Sequence, residues 1–494
     1  MNDYRAHWNK SREIVERVIV TGDLVLLTPT HLGSGDADGP TDMSLLLDPL
    51  TETRALLTGA SVAGALRNYL REREYGYEAP LYPKQGSRST VELLFGGERD
   101  NREGEQSALI VEDALSQAAD IEVRDGVCID PTTRTAMVEE ERQGRKRGYK
   151  FDLELLQAGA TFPLCFELLI PQGENQRLKA ALARALQGLE LGEVALGARK
   201  RRGYGECRVE KWRVMLYDLT TTEGLLAWLK SEQAGPAEGP HIADLLGVQP
   251  DESDQRSRFE IRATFRLEGS MLIRSGFAES DTGPDMVHLH SYRPGRAERV
   301  PVLPGTSLAG VVRHRALRIA NTLAPNSKGQ AVVEGMFGRS RTRDDQTLTA
   351  SRVLVRETVI EGTRSLVQSR VKIDRFTGGA FPTALFTEQP IFGRPESRVT
   401  VELTLRNPQP HEIGLLLLVL KDLWTEDLPV GGESSVGRGR LAGVEADLVW
   451  RKPGSEQKWT LKQVDSRLEV AGDEKKFLEG YVQALKEELG GGAG

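Results

Sequence analysis

The sequence predicts an α+β fold in two tandem copies, and three observations predict it. Short motifs recur in one order with nearly constant spacing. Gly59 to Arg67 reads Gly-Ala-Ser-Val-Ala-Gly-Ala-Leu-Arg, and Gly305 to Arg313 reads Gly-Thr-Ser-Leu-Ala-Gly-Val-Val-Arg. Gly33, Asp38, Asp42 and Met43 repeat as Gly276, Asp281, Asp285 and Met286, and Phe95-Gly96 repeats as Phe337-Gly338. Ile129-Asp130 with Thr133 and Ala136 is matched by Ile373-Asp374 with Thr377 and Ala380, and Gly197, Gly203 and Gly205 by Gly431, Gly437 and Gly439. One such match says little, but five in order mark a duplication. The second observation is a polar, Gly- and Pro-rich seam at 231–257. The third is that each half opens on strand-like alternation and then turns to helical spacing. The expected layout is a first domain over 1–230, a linker over 231–257 and a second domain over 258–494.

Val18 to Leu27 reads as the first strand, and Phe259 to Ile273 as its counterpart, with Phe259, Ile261, Ala263, Phe265 and Leu267 alternating. A Gly/Asp/Ser loop follows each. A helix comes next, with Ser61 and Ser307 expected at the N-cap and Leu66/Leu70 or Leu308/Val312 as i, i+4 apolar pairs. Later strands are expected at Ser107–Val111, Phe162–Ile170, Val353–Thr358 and Val399–Leu405, and second helices at Ala180–Leu186 and Glu412–Leu423. Thr222–Leu229 reads as a short amphipathic helix closing the first half, and Lys475–Leu489 as a terminal helix. Strand, helix, two or more strands, helix and strand is the ferredoxin-like, or RRM-like, order.

Composition narrows the function classes. Hydrophobic residues make up 39% of the 494 and charged residues 28%, as in a soluble globular chain. No apolar stretch is long enough to span a bilayer, and the start does not read as a secretory signal. Three scattered cysteines, Cys128, Cys165 and Cys207, fit neither a disulfide framework nor a zinc cage, so a reduced, cytoplasmic protein is expected. The net charge of −7 argues against a general polycation but leaves room for local basic patches.

Four landmarks resemble the RAMP superfamily of CRISPR-associated proteins, in particular the repeated backbone subunits of type III effector complexes. They are the loop from His31 to Asp42 with its counterpart from Ser275 to Asp285, and the turn Leu303-Pro304-Gly305-Thr306-Ser307-Leu308-Ala309-Gly310. The others are Leu94-Phe95-Gly96 with Met336-Phe337-Gly338, and the late Gly-rich loops Gly197–Gly205 and Gly431–Gly439. Two copies in one chain are similar to type III-D arrangements. The resemblance implies a protein that grips CRISPR RNA (crRNA), assembles with other CRISPR-associated effector subunits and cuts complementary target RNA, with no membrane partner. It maps the family's catalytic, metal-holding Asp onto Asp42 and Asp285. Asp48-Pro49 keeps the family's spacing from Asp42, whereas Ser291 stands at that place after Asp285. Asp38 and Asp281 are reserves. The resemblance also implies inserted thumb hairpins, with Met137 in the first copy and Phe376 or Phe381 in the second as wedges that unstack a base pair; core packing is the alternative for the Phe residues.

The chemistry suits the residues. The 2′-OH of RNA can attack its own phosphorus, so the protein needs to supply geometry and charge neutralisation. One loop carboxylate can hold a Mg2+ or Mn2+ that keeps much of its water. The ordinary alternative for both Asp residues is an Asx turn. Phosphate contacts are expected from the helix starts with Ser61, Arg67, Ser307 and Arg313, and from Arg199, Lys200, Arg201, Arg202 and Tyr204. His31, matched to Arg274, and Arg438 in the less basic second loop complete the set. His288 and His290 match Leu45 and Leu47, so no mechanism shared by both halves can use them. The rival functions are a crRNA-binding scaffold without catalysis, or a crRNA-processing nuclease; a nucleotide enzyme would lack a P-loop or Rossmann fingerprint.

Overall fold

The computed structural model describes residues 13–35, 43–77, 89–97, 106–117, 120–130, 133, 135–140, 146–148, 150–230, 236–249, 253–275, 283–324, 327–339, 348–465, 467–472 and 475–490. The first half contains β1 (Ile14–Leu26), α1 (Gly59–Tyr75), α2 (Thr90–Phe95), β2 (Leu109–Val111), β3 (Ile121–Val127), β4 (Lys150–Leu156), β5 (Thr161–Pro171), α3 (Asn175–Glu190), β6 (Cys207–Asp218), α4 (Thr222–Leu229), β7 (Ala237–Gly239) and α5 (Ile242–Leu246). Its antiparallel sheet runs β7-β6-β1-β5-β2. Period-two alternation puts Val18, Val20, Leu24 and Leu26 on one buried face. Against it lie Leu66 and Leu70 of α1 and Leu178, Leu182, Leu186 and Leu189 of α3, the i, i+4 stripes that make each helix two-faced.

The second half repeats this plan with β8 (Arg258–Glu268), β9 (Met286–His288), α6 (Gly305–Leu323), α7 (Ser327–Phe337), β10 (Val353–Val355), β11 (Thr358–Ser365), β12 (Gln368–Ile373), β13 (Ala380–Gln389), β14 (Ile391–Arg406), α8 (Pro410–Trp424) and β15 (Arg440–Lys452). Strand β8 lies between β14 and β15, as β1 lies between β5 and β6. The strand expected over Phe259–Ile273 stops earlier, because Gly269 turns at φ +68°. The sheet then grows by β16 (Ser455–Val464) and β17 (Arg467–Gly472), and α9 (Lys475–Gly490) packs on α8. Gly414 permits that packing, since a Cβ there would lie 2.1 Å from the Tyr481 carbonyl oxygen.

The described part of the segment expected as a linker is folded. Strand β7 pairs with β6, and Ile242, Leu246 and Val248 belong to the first core. The polar composition reflects an edge strand and a short capping helix, anchored on the core by these residues with Ala243 and Leu245 packed beside them.

The halves meet through buried charge. Arg124 on β3 donates twice to the Glu357 carboxylate, once at 3.1 Å, and Arg293 donates to the same carboxylate through its Oε1. Ser291 donates to Glu122 at 3.0 Å, and the Tyr204 ring lies 5.6 Å from the Arg124 guanidinium. Burial alone would push the Glu357 carboxyl up, but Arg124 and Arg293 outweigh it and hold it below the ordinary range. This contact explains why Ser291 stands where the first half has Asp48: a carboxylate there would face Glu122, whereas a hydroxyl bridges to it.

Candidate nucleic-acid interface

Loop Gly197–Gly205 runs from the first half into the second. Arg199 adopts the left-handed conformation (φ 54°), and Lys200–Arg202 then form a single 3₁₀ turn. Glu433 does the same at φ 58° ahead of Ser434–Val436, so the loops share a backbone while differing in charge. Arg201 donates to the Ser351 carbonyl, and Gly305 at the start of α6 sits where a Cβ would come within 2.3 Å of the Arg202 carbonyl oxygen. The basic turn is therefore docked on the N-terminal end of α6. Burial depresses the pKa of Lys200, Arg201 and Arg202, and positive neighbours add to it: Arg406 beside Lys200 and Arg201, Arg313 and Arg199 beside Arg202. Among the described residues, no carboxylate forms an ion pair with Arg199, Lys200, Arg201, Arg202 or Arg313. Crowded, half-desolvated cations at a helix N-terminus attract an anion. The N-terminus of α1 differs: Asp113 already takes the Gly59 N–H at 2.7 Å, and Thr58, not Ser61, is the N-cap.

Asp285 is exposed at the start of β9, which runs parallel to β13. Its Oδ2 accepts the Thr387 N–H at 2.7 Å and the Thr387 hydroxyl at 3.0 Å, while that hydroxyl accepts the Asp285 N–H at 3.1 Å. These bonds hold the carboxyl below its ordinary pKa. Asp42, Asp38, Asp281 and Gly276 lie outside the described residues. Met43, the next residue after Asp42, pairs with Leu153 as Met286 pairs with Glu388, so Asp152 holds the place of Thr387. Asp152 faces Asp125 across β3/β4, and burial together with that neighbour raises the Asp125 pKa. No sequence motif singled out Thr387, Asp125 or Asp152; only the strand register reveals them.

The family model of the RAMP superfamily matches residues 23–208 and 241–442. The chain belongs to the RAMP superfamily. Membership makes it a CRISPR-associated protein of an RNA-binding class. No curated protein matches it. Among the described residues no helix is long and apolar enough to cross a membrane.

Several residues expected to touch RNA in this RAMP chain are committed elsewhere. His31 is buried, its Nδ1 bonded to the Glu154 carbonyl at 2.8 Å. Its counterpart is Leu272 and not Arg274, since Ala198 N–H bonds to the His31 carbonyl as Gly432 N–H bonds to that of Leu272. Tyr204 is buried against Leu153 and Leu155. Arg438 is buried and salt-bridged to Glu388 at 2.7 Å and Glu433 at 2.8 Å, and Arg274 reaches Glu433 at 3.4 Å. That network replaces the apolar cluster of the first half. Arg67 is half-buried and donates to the Gly96 carbonyl at 3.3 Å. Ser61 is exposed but bonded to Thr58, and Ser307 is the third residue of α6 behind the N-cap Pro304. Lys200, Arg202 and Arg313, with Arg199 stacked on Phe151 at 4.2 Å, remain as the basic set. His288 accepts the Ile273 N–H on Nδ1 and therefore donates from Nε2 to Val302; burial pushes its pKa down to about 3, so it is a neutral core residue.

Hairpins stand where the wedges were expected. Asp130 and Asp374 each cap a turn, accepting from Thr133 and Thr377, and Ile129–Ala136 pairs as Ile373–Ala380 does. That register makes Met137 and Phe381 counterparts. Met137 is half-buried beside Cys128, and Phe381 lies 4.7 Å from the Lys372 ammonium. Phe376 is 96% exposed, which excludes core packing. Phe376→Ser is therefore expected to change stability by less than about 0.5 kcal/mol. A denaturation midpoint that dropped by several times this would show that the ring has a packing role.

Proposed function

We propose that this RAMP protein is a crRNA-binding backbone subunit of a type III effector complex, similar to type III-D, that cuts target RNA at Asp42 and Asp285. The observation that carries the reading is the basic turn Lys200–Arg202 crowded with Arg313 at the start of α6, without a carboxylate partner among the described residues. RNA phosphates supply the missing charge, and glycines let them approach backbone N–H groups. The order β6-β1-β5-β2, with β8 likewise between β14 and β15, supports ferredoxin-like halves, and the paired hairpins support thumbs. Among the described residues, no three His, Cys, Asp or Glu side chains gather to hold a metal. An exposed, ionised Asp285 suits a hydrated Mg2+ or Mn2+, which needs few protein ligands. Bound there, the cation would supply neutralisation of phosphate charge, while the protein holds the RNA bent so that its 2′-OH attacks in line.

Binding of single-stranded RNA tests the first part of the reading. Replacing Lys200, Arg202 and Arg313 with Ala should weaken binding similarly for all sequences and flatten the salt dependence by about 0.7 per lost phosphate contact. An unchanged salt slope in folded protein would place the RNA path elsewhere.

A further inference from the structure

Asp285 owes its place to Thr387, and Thr387 sits one residue from a buried carboxylate. Neighbouring residues of a strand point to opposite faces, so Thr387 meets Asp285 while Glu388 turns inward. Glu388 has no exposed surface. Arg438, itself only 3% exposed, pairs with Glu388 at 2.7 Å and with Glu433 at 2.8 Å. Arg370 on β12 joins the same two carboxylates at 3.3 and 3.1 Å, and Gln368 accepts from Arg438 at 3.0 Å. Arg274, whose strand register pairs it with His288 of β9, reaches Glu433 at 3.4 Å. The late loop Gly431–Gly439 is thereby tied to both strands of the hairpin β12/β13 and to the segment beside β9.

The first half fills the same places without charge. Met43 pairs with Leu153 as Met286 pairs with Glu388, so Leu153 stands for Glu388. The hairpin register agrees: Leu153 faces Arg124 on β3 and Glu388 faces Gln368 on β12, equally spaced from the matched turns at Asp130 and Asp374. Tyr204 stands for Arg438, each between two glycines of positive φ. Leu153 and Tyr204 are buried together with Leu155. Gly126 takes the place of Arg370, and Phe151 covers it so closely that a Cβ there would lie 1.9 Å from the ring. The joint between hairpin and late loop is apolar in one half and ionic in the other.

The difference decides how the loop at Asp285 is held. An apolar contact is non-directional, whereas an Arg–carboxylate pair fixes distance and angle through charged hydrogen bonds. The ionic joint is also less forgiving, because a buried cation that loses its anion is strongly destabilising. Without the Glu388 carboxylate, Arg438, Arg370 and Arg274 would share Glu433 alone, and β13 would shift to relieve the crowding. Thr387 is the next residue, so such a shift moves the N–H and hydroxyl that hold Asp285. A misplacement of about 1 Å at a reacting group is enough to cost about 100-fold in rate.

We propose that Glu388 and Arg438 form a positioning pair for Asp285, acting through Thr387 and themselves too buried to touch RNA. The inference rests on the reading of Asp285 as a cleavage residue, so one arm of the test needs no cleavage. In that arm, amide hydrogen exchange is followed at Thr387 in the full chain without RNA, since its N–H bonds to Asp285. Glu388→Leu should speed this exchange at least about tenfold while amides of the first half stay unchanged. In the assembled complex the same variant should slow the Asp285-dependent product at least about tenfold and spare the Asp42-dependent one. Glu388→Leu combined with Arg438→Tyr installs the pair that the first half uses and should restore both readouts. Glu388→Gln keeps a hydrogen bond to Arg438 but not the charge. It should fall between wild type and Glu388→Leu, and it guards against a variant that does not fold. The proposal fails if Thr387 exchanges at the wild-type rate in both single variants. It also fails if the two products slow together or the double variant is not rescued, since either marks a merely structural contact. A wild-type complex that yields no target-RNA product would overturn the cleavage reading, and the exchange arm alone would then decide whether the pair holds Thr387.

Discussion

Asp285→Ala in the assembled, crRNA-loaded complex should remove one of two target-RNA products, slowing cleavage at that position at least about 100-fold. Asp42→Ala should remove the other, and the double variant should leave target RNA intact while still assembling. The effect is large because the proposed chemistry gives the protein few groups to lose: the nucleophile is the RNA's own 2′-OH, and one carboxylate carries the cation. Thr387 refines the expectation. Its N–H and hydroxyl both favour ionised Asp285, so the folded pKa is depressed. A required carboxylate with a depressed pKa is active above that value and fails only as the pH drops through it. The acid limb of the Asp285-dependent product should therefore lie below the ordinary Asp value of about 3.9. Thr387→Val removes the hydroxyl and should move that limb upward. Asp152 holds the corresponding strand position in the first half, so the two products need not share one pH profile. An unchanged product ladder in the double variant would reduce the chain to an RNA-gripping scaffold.

The duplication was legible because it rests on glycines whose backbone roles are strict. Gly205 and Gly439 both press on a carbonyl with positive φ, which no side chain tolerates cheaply. The helices and central strands were legible from periodicity, and Thr222–Leu229 matches its expected span. What failed were side-chain assignments in the loops. A run of Arg-Lys-Arg-Arg reads as an RNA grip, yet part of it serves to join the halves. Arg438 reads as a free cation until Glu388, which comes from a distant strand, is seen beside it together with Glu433 of its own loop. His31 was paired with the wrong counterpart because the loop lengths differ, and only the bonds to Ala198 and Gly432 reveal the slip. The hairpin β16/β17 has no equivalent among the described residues of the first half and so no repeat to announce it.

The buried junction carries the second large expectation. Glu357→Ala should destabilise the protein by about 3–5 kcal/mol near neutral pH, because it leaves Arg124 and Arg293 desolvated without their anion. Urea denaturation followed by a far-ultraviolet signal would read this as a lower midpoint. A second change, Arg124→Met, should recover part of the loss by removing one orphaned cation. The sign with pH follows from the depressed Glu357 carboxyl. Its ionised form stabilises the fold fully above the ordinary Glu value of about 4.3, and that contribution fades as pH falls through the lower folded value. The difference between wild type and Glu357→Ala should therefore shrink only in acid. A midpoint unmoved at pH 7 would mean that water or rearrangement already compensates Arg124, and that apolar packing alone holds the halves together. If the expected loss is seen, the same carboxylate that fixes one half against the other also fixes the spacing between the two proposed cleavage positions. A weakened junction should then broaden the target-RNA products before it abolishes them.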